Sequence, residues 1–544
     1  MKFKIPIIIS LTLLGMSSCT KLETKLQSSI VFNPGGGSGD PASLLNGCYN
    51  DMNGFWHGVS GMRAFEDLTG DALLVPTRGG DWDDNGDWRK FHAHGWTPTH
   101  AYLTGAFNGL GQMESDALST LAFNPSPIQS DEALFLRSVA QFYYLDFFGQ
   151  VPYREVDKYN AIDPAPVYQP QEAIDNIVTT LNGIITRNAL PASNAPYRAS
   201  IDAAKFLLMK VLLNKGAFLN REAPTFDNAD LAQVIALGND LINSNKYHLT
   251  VNYFDNFSVD NATKSGERIW AWPNNGSATN NGINAGGTNN YWMNTLHYNS
   301  WDKPGVYGGA GWNGFATVAD FYNTFEGHGD GTPDSKIDTT KDQRLGGRFF
   351  PGVTDISGLR PGLLVGQQYN EAGVAETDRQ GHPLKFTPEV HLVETDPATL
   401  EITGIRVIKY PPDYNNYNGG NQRNQLQIFR YADVILMVAE AKMRSGDNAG
   451  GLALVNELRT ARGASTLTSL PLVNSTNVYD PNTLLAERGR EMYSEGWRRQ
   501  DLIRFGVYLL PWALKEVDDP KYLLFPIPPD QLIANPNLQQ NPGY

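Results

Sequence analysis

Residues 130–153 read SDEALFLRSVAQFYYLDFFGQVPY, and this stretch decides how the rest of the chain is interpreted. Acidic residues follow the serine at its start, and a glycine stands near its end. Both features are typical of the two ends of an α-helix. We predict a helix here that has Ser130 as its N-cap and is closed by Gly149.

Similar helical patterns recur towards both ends of the chain. In QEAIDNIVTTLNGIITRN, branched apolar side chains return every three or four residues, so they share one helix face. Two helices joined by a tight Gly-Asp turn are predicted in residues 430–463, and a turn with two helices of this size matches a tetratricopeptide unit of about 34 residues. Further helices are predicted at 201–220, 228–245 and 484–506.

The segment from about residue 250 to about residue 425 has a different character. It is rich in Gly, Asn, Thr and Pro and has few periodic runs, which predicts loops and short strands. A region this long is no simple connector, and long loop regions usually carry function. The predicted fold is mostly α: one large domain, 41–544, with a helical scaffold at about 41–250 and 425–544 and a loop-rich ligand region at about 250–425.

The first residues of the chain predict export. Residues 1–18 combine Lys2 and Lys4 with an apolar run too short to span a bilayer, which is typical of a signal peptide. The sequence MSSC, ending at Cys19, resembles a bacterial lipobox. We predict that Cys19 is lipidated, which would anchor the protein to a membrane. The alternative is an ordinary secretory signal followed by a structural cysteine.

Residues 19–40 are predicted to be a lipidated tether, because they lack periodicity and end in a flexible Gly/Ser run. The chain has 2 cysteines. If Cys19 carries lipid, Cys48 has no disulfide partner, and the fold stands without disulfides.

Charge and composition limit the classes of partner. The chain has 43 basic and 57 acidic residues, a net charge of -14. This balance disfavours binding to a nucleic-acid backbone, which needs clustered Lys and Arg. With 11 Trp, 24 Tyr and 53 Gly, the chain suits neutral, hydroxyl-rich ligands better than charged ones.

Several segments resemble one protein family. EALFLRSVAQFYYLDFFGQVPY looks like the signature helix and following turn of the SusD/RagB outer-membrane lipoproteins of Bacteroidetes. Four later segments are similar to motifs of the same family in the same order: RYADVILMVAEAKMRSG, KDQRLGGRF, ERGREMYSEGWRRQDLIRFG and FPIPPDQLIANPNLQQNPGY. One departure is Gln343, which stands where the family usually has proline.

The resemblance implies a single, mostly α-helical domain with tetratricopeptide-like helix pairs. It also implies an outer-membrane anchor, a SusC-like TonB-dependent porin as partner, and capture of glycans at the cell surface without catalysis. Residues 50–125 and the middle of the chain match least, so the family's ligand-binding residues cannot be transferred there one by one.

Glycan capture needs flat apolar faces for the C–H groups of a sugar ring, and amides or carboxylates for its hydroxyls. Residues 80–92, GDWDDNGDWRKFH, and residues 289–314 supply both. The alternative for each ring is that it pins an irregular loop to the scaffold. By contrast, the family resemblance implies a buried strand at Trp270 and Trp272, so these two rings are predicted to lie in the core. The candidate ligand-binding residues are Arg78, Asp81, Trp82, Trp88, Tyr291, Trp292, Tyr298, Trp301 and Trp312.

No metal or cofactor is predicted, and calcium is the alternative. The acidic residues from Asp81 onward match the first half of an EF-hand loop, but His92 stands where that loop needs a glutamate. A second oxygen-rich loop contains Asp330, Asp334 and Asp338.

Enzyme motifs such as H-E-x-x-H, a Walker loop or G-x-S-x-G do not occur. Glu487, Glu491 and Glu495 share one helical face. The arginines at 488, 490, 498 and 499 predict ion pairs there rather than acid–base chemistry.

We therefore predict a surface lipoprotein that captures oligosaccharide or polysaccharide and delivers it to a SusC-like transporter. The alternatives are capture of peptide or another nutrient, a secreted glycoside hydrolase, and a tetratricopeptide scaffold that binds only proteins.

Overall fold

Helices stacked side by side form the scaffold in a computed structural model of the protein. The residues it describes are 39–159, 161–192, 196–300, 311–328, 338, 340–346, 361–369, 374–413, 415–416 and 421–544. They all belong to one compact unit, Gly39–Tyr544.

The described part of the chain contains sixteen α-helices. In chain order they are α1 (Pro41–His57), α2 (Met62–Glu66), α3 (Asp87–His92), α4 (Leu103–Ala122), α5 (Pro127–Phe148), α6 (Pro170–Arg187), α7 (Ile201–Leu219), α8 (Asn228–Asn243), α9 (Asn261–Lys264), α10 (Asn290–Met293), α11 (Ala319–Tyr322), α12 (Tyr431–Arg444), α13 (Asn448–Ala461), α14 (Leu484–Met492), α15 (Arg498–Arg504) and α16 (Pro529–Ala534).

The long helices pack in succession. Helix α4 contacts α1 and α5, α5 contacts α6, and the series continues through α7 to α8. The chain then leaves this stack after α8 and returns at α12, which packs against α8 and α13. Such helix pairs have the tetratricopeptide-like arrangement, so the predicted mostly α fold is confirmed.

Helix α5, over the opening stretch of the sequence, begins one turn earlier than predicted. The Ser126 hydroxyl accepts the backbone N–H of Gln129 (3.3 Å), and the Gln129 side chain accepts the N–H of Ser126 (2.9 Å). This capping box, with Pro127 in the first turn, starts the helix. The prediction of Ser130 as N-cap was therefore wrong. The end at Gly149, whose φ is 68°, is confirmed.

The segment 484–506 forms two helices, α14 and α15, so the prediction of one helix was wrong. The break contains Ser494 (φ 57°) and Gly496 (φ 76°), both in the left-handed region. The Asp67 carboxylate accepts the N–H of Gly496 at 3.1 Å. A Cβ on Gly496 would lie 1.7 Å from the Met62 sulfur. Close packing against α2 and the positive φ thus both favour glycine at this position in the break.

Short strands pair in twos within the loop-rich part. In chain order the strands are β1 (Thr77–Arg78), β2 (Val151–Pro152), β3 (Val167–Tyr168), β4 (Arg268–Ala271), β5 (Thr279–Asn280), β6 (Ile283–Asn284), β7 (Gly362–Leu364), β8 (Gly366–Gln367), β9 (Lys385–Phe386), β10 (Val393–Glu394), β11 (Arg406–Ile408) and β12 (Gln427–Arg430).

Two of these pairs organise the loops. Strand β4 pairs antiparallel with β12, directly before α12, and the side chains of Trp270 and Trp272 are buried there. Their predicted place in the core is confirmed. Strand β1 pairs parallel with β10. This pairing brings the residue 80 loop beside residues 393–403, although more than 300 residues separate them along the chain.

The scaffold encloses charged side chains. Glu487 accepts hydrogen bonds from Arg344 (2.7 Å), Arg459 (2.6 Å) and Arg490 (2.6 Å), and all four side chains are buried. The predicted ion pairs of this glutamate are confirmed, but two of its three partners come from other segments of the chain.

The predicted pairing of Arg488, Arg498 and Arg499 with the three glutamates was wrong, because these arginines form ion pairs with aspartates of other segments or of α15. Arg488 pairs with Asp433 and Asp501, Arg498 with Asp71, and Arg499 with Asp146.

Cys48 is a buried free thiol whose pKa is raised by burial. Among the described helices, none is long and apolar enough to cross a membrane.

Candidate ligand-binding site

The two predicted aromatic loops meet at one surface. The ring of Trp82 lies 5.4 Å from Trp88 and 6.2 Å from Trp312, measured between ring centroids. Its indole N–H donates a hydrogen bond to the backbone carbonyl of Trp312 at 2.7 Å. Residues separated by 230 positions in the sequence therefore build a single aromatic surface.

The loop that presents Trp82 has an unusual backbone. Trp82 (φ 59°), Asp84 (φ 36°) and Asn85 (φ 55°) all occupy the left-handed region, which costs a non-glycine residue about 1–3 kcal/mol. Such strain is found preferentially at functional sites. A Cβ at Gly314 would lie 2.4 Å from the Trp82 ring, so the absence of a side chain at this glycine makes room for the indole.

The three tryptophans of this surface differ in exposure. Trp312 is 44% exposed, and Trp82 is half-buried. Trp88 is only 3% exposed, packs against Tyr102, and donates its indole N–H to Asp84 at 2.6 Å. Trp82 and Trp312 therefore offer aromatic surface to a ligand, whereas Trp88 pins the loop to the scaffold.

Arg78 was predicted to contact ligand, but it lies in the interior. Its guanidinium donates to the carbonyls of Asn313 (2.8 Å), Leu400 (2.7 Å) and Thr403 (2.8 Å). Burial lowers the pKa of Arg78 to about 10. The side chain joins three segments of the loop region and does not face a ligand.

Tyr291 and Trp292 are also buried. The Tyr291 hydroxyl donates to the Trp56 carbonyl at 3.3 Å, and Trp292 belongs to a small apolar cluster with Leu296 and Phe386. Their role is therefore packing, because helix α10 turns both rings inward. Trp301, another predicted contact, lies outside the described residues, as does the predicted lipidation site Cys19.

A polar edge borders the aromatic surface. The Tyr298 hydroxyl donates to the exposed carboxylate of Asp81. The guanidinium of Arg379 lies 3.8 Å from the Tyr298 ring centroid and 3.4 Å from Asp81. Arg379 also donates to Glu401 at 2.7 Å. Sequence reasoning missed Arg379 and Glu401, because no local pattern links them to a residue about 300 positions away.

The carboxylates of residues 80–92 do not converge on a common centre. Asp83 pairs with Arg89 at 2.8 Å, and Asp87 pairs with Lys90 at 2.8 Å. His92, at the twelfth position of the EF-hand match, is buried and contacts backbone carbonyls. Within the described ranges, no three His, Cys, Asp or Glu side chains are placed to hold a metal ion. This geometry gives the calcium alternative no support.

Asp330 and Asp334 of the second oxygen-rich loop lie outside the described residues.

A cleft of about 460 Å³ lies elsewhere, between the end of α7 and the C-terminal segment. Its walls include Leu219, Arg221 and Lys521, but no tryptophan. Phe218 is the aromatic residue of this lining and is only 4% exposed, so the cleft offers little of the flat aromatic surface that favours a sugar ring.

A helical scaffold that presents tryptophans beside paired polar side chains defines a ligand-binding protein. The chain belongs to the SusD family, whose model matches residues 266–544. It is 23% identical over 494 residues to the starch-binding protein SusD of Bacteroides thetaiotaomicron, a match that covers 85% of this chain and 82% of that protein.

A shorter match is 35% identical over 160 residues to SusD-like protein P38 of Formosa agariphila, covering 28% of this chain and 29% of that protein.

Solved structures agree with the fold. The surface glycan-binding protein A of Bacteroides thetaiotaomicron, in complex with laminarihexaose, matches with a TM-score of 0.64 and 16% identity, covering 92% of this chain and 98% of that one. A laminarin-binding SusD-like protein matches with a TM-score of 0.63 and 19% identity, covering 93% and 99%. Three of these matched proteins are named for binding starch, glycan or laminarin, in agreement with the expectation that this chain is not an enzyme.

Proposed function

We propose that this protein captures oligosaccharide or polysaccharide at the cell surface, without catalysis, and delivers it to a SusC-like TonB-dependent transporter in the outer membrane. The glycan would stack on the rings of Trp82 and Trp312 and form hydrogen bonds with Asp81, Tyr298 and Arg379. The observation that carries the proposal is the exposed ring of Trp312, which lies beside Trp82. The backbone of the Trp82 loop is strained at this place.

The chemistry of this surface suits a sugar. An indole face covers the C–H groups of a pyranose ring, and the neighbouring carboxylate and guanidinium accept and donate hydrogen bonds to hydroxyls. Covering about 100 Å² of apolar surface yields about 2.5 kcal/mol per ring before the costs of binding. With two rings and those costs, we expect affinities between micromolar and millimolar, which allow the cargo to be passed on.

Membrane attachment and the transporter partner extend the proposal. The lipobox-like sequence at Cys19 and the following Gly/Ser-rich tether support a lipid anchor. Family membership supports a porin partner. The relatives support the ligand class, because they include proteins named for binding starch and laminarin.

Affinity electrophoresis against a panel of polysaccharides tests the proposal. We expect retardation by at least one polysaccharide and no release of reducing sugar. Trp312→Ala should weaken that binding about tenfold, the equivalent of about 1.4 kcal/mol.

Leu219→Ala is the matched control, because Leu219 is 46% exposed but lines the distant cleft. If Leu219→Ala loses binding and Trp312→Ala does not, the glycan binds in the cleft and not on the aromatic surface. Release of reducing sugar would identify a hydrolase.

A further inference from the structure

We infer that the Trp82–Trp312 surface selects uncharged glycans and discriminates against sulfated or uronate-rich polymers. This inference rests on the proposed function and adds the charge class of its ligand. It follows from where the structure places each cation near the aromatic rings.

Two arginines beneath the surface are out of reach of a ligand. Arg63 is 3% exposed, and its guanidinium lies between the rings of Tyr291 (4.7 Å) and Phe315 (4.5 Å). Arg78 is buried as well, with its guanidinium committed to backbone carbonyls. Neither cation can meet a sulfate or carboxylate on a polymer at the surface.

In the described part of these loops, the cations closer to solvent are already paired. Arg89 lies 2.8 Å from Asp83, and Lys90 lies 2.8 Å from Asp87. Arg379 contacts the carboxylate of Glu401 at 2.7 Å and that of Asp81 at 3.4 Å. An anionic group would have to break one of these pairs to gain a partner, whereas a hydroxyl can bind without separating the charges.

The charge that an anionic polymer meets first is the carboxylate of Asp84. Among the described side chains around the rings that are exposed or half-buried, the acids Asp81, Asp83 and Asp84 equal the cations Arg89, Lys90 and Arg379 in number. Asp84 is exposed, accepts the indole N–H of Trp88, and forms no ion pair with a described residue. Its uncompensated charge therefore repels an anionic group on a polymer that lies across the surface.

A neutral glycan meets no such opposition. Its hydroxyls donate to the exposed Asp81 carboxylate and accept from Arg379, while its ring stacks on Trp312. Because this contact pairs no net charges between ligand and protein, its strength should depend little on salt.

A matched pair of polymers tests the inference. One is a neutral polysaccharide that retards the protein, such as laminarin or starch, and the other is a sulfated derivative of the same polymer. Isothermal titration calorimetry is run on the full chain at 50 and 500 mM NaCl, values that sit on either side of physiological ionic strength. We expect the affinity for the neutral polymer to change less than about twofold between the two salts, and the sulfated polymer to bind at least about tenfold more weakly at low salt.

Asp84→Asn sharpens this test, because it removes one exposed charge while its amide oxygen can still accept the Trp88 N–H. The variant should bind the sulfated polymer about twofold more tightly at low salt and leave the neutral affinity unchanged.

Equal or tighter binding of the sulfated polymer, falling steeply with salt and lost in Trp312→Ala, would overturn the charge class while leaving glycan capture intact. If no polysaccharide of either kind binds, glycan capture itself fails, and this inference fails with it.

Discussion

Two regions of the molecule reverse the usual distribution of side chains: charged groups are buried around Glu491, and a large aromatic ring is exposed at Trp312. Glu491 is fully buried and contacts Arg430 (2.7 Å), Arg462 (2.8 Å) and Arg344 (3.3 Å). Trp312 leaves 44% of its surface in water. Buried charges and exposed large rings are the informative exceptions in a protein. Here the first belong to the scaffold, and we propose that the second bind ligand.

Glu491 and Glu440 stay charged in the interior because each has more than one cationic partner. Burial alone would raise the pKa of Glu491, but Arg462, Arg430 and Arg344 hold it well below its usual range. For Glu440, burial is likewise outweighed by Arg504 and Arg444, which lower its pKa to about 2. These carboxylates stay ionised at neutral pH, so removing any one of them leaves buried cations without compensation.

The largest expected effect comes from breaking this network. Glu491→Gln removes the charge that faces three guanidinium groups, and we expect a loss of about 3–5 kcal/mol in the free energy of unfolding. Urea unfolding followed by circular dichroism at pH 7 measures it. Lys442→Ala is the control, because its pair with Asp447 is partly exposed and is worth less than about 1 kcal/mol. Equal losses in both variants would remove the distinction between interior and surface charge.

The next effect separates two tryptophans of one surface. Trp88→Ala deletes a buried ring, and we expect it to lower the free energy of unfolding by about 3–5 kcal/mol. Trp312→Ala deletes an exposed ring and should cost less than about 1 kcal/mol while weakening glycan binding. Thermal unfolding of both variants beside the unaltered protein measures the difference. A large loss for Trp312→Ala would assign its ring to loop-pinning.

The smallest effect concerns an acid that lacks a cation. Asp51 on α1 hydrogen-bonds to Asp116 on α4, and burial together with this second acid raises the pKa of Asp51 to about 8. The folded state therefore holds the proton more tightly than the unfolded chain, where the value is 3.8. The stability from this carboxyl is present at low pH and declines as pH rises from about 4 through about 8.

Asp51→Asn should accordingly raise the melting temperature at pH 8.5 relative to the unaltered protein, and change it little at pH 4. Differential scanning calorimetry at the two pH values measures this. If the difference in melting temperature between the variant and the unaltered protein is the same at both pH values, the pKa of Asp51 is not raised. Asp51 would then be ionised at neutral pH, like the acids of the Glu491 network.

Periodic apolar spacing and end signals were sufficient for much of the scaffold. The end of α5 at Gly149 and the amphipathic α6 follow from patterns within a few residues, because local backbone sterics and side-chain spacing produce them. The burial of Trp270 and Trp272 was predicted from the family resemblance instead. The start of α5 was misplaced by a turn because two serines compete there. The break between α14 and α15 was missed because it depends on contacts with Met62 and Asp67, which are remote in sequence.

The candidate site shows the same limit. Local composition found both aromatic loops, and it also predicted ion pairs for Glu487 and Glu491. It could not tell that Trp88 turns inward while Trp312 faces water, since both are tryptophans in glycine-rich, polar loops. It also could not supply Arg379.

The helical scaffold and family membership could thus be inferred from local runs of residues, since each depends on spacing along one segment, and export stays a prediction of the same kind. The fold decides which rings face solvent and which cation pairs with which acid. Both depend on contacts between segments that are up to about 300 positions apart in the sequence. The pairing of β1 with β10 and the packing of Trp82 on Gly314 settle those choices, because burial and charge pairing are properties of neighbours in space.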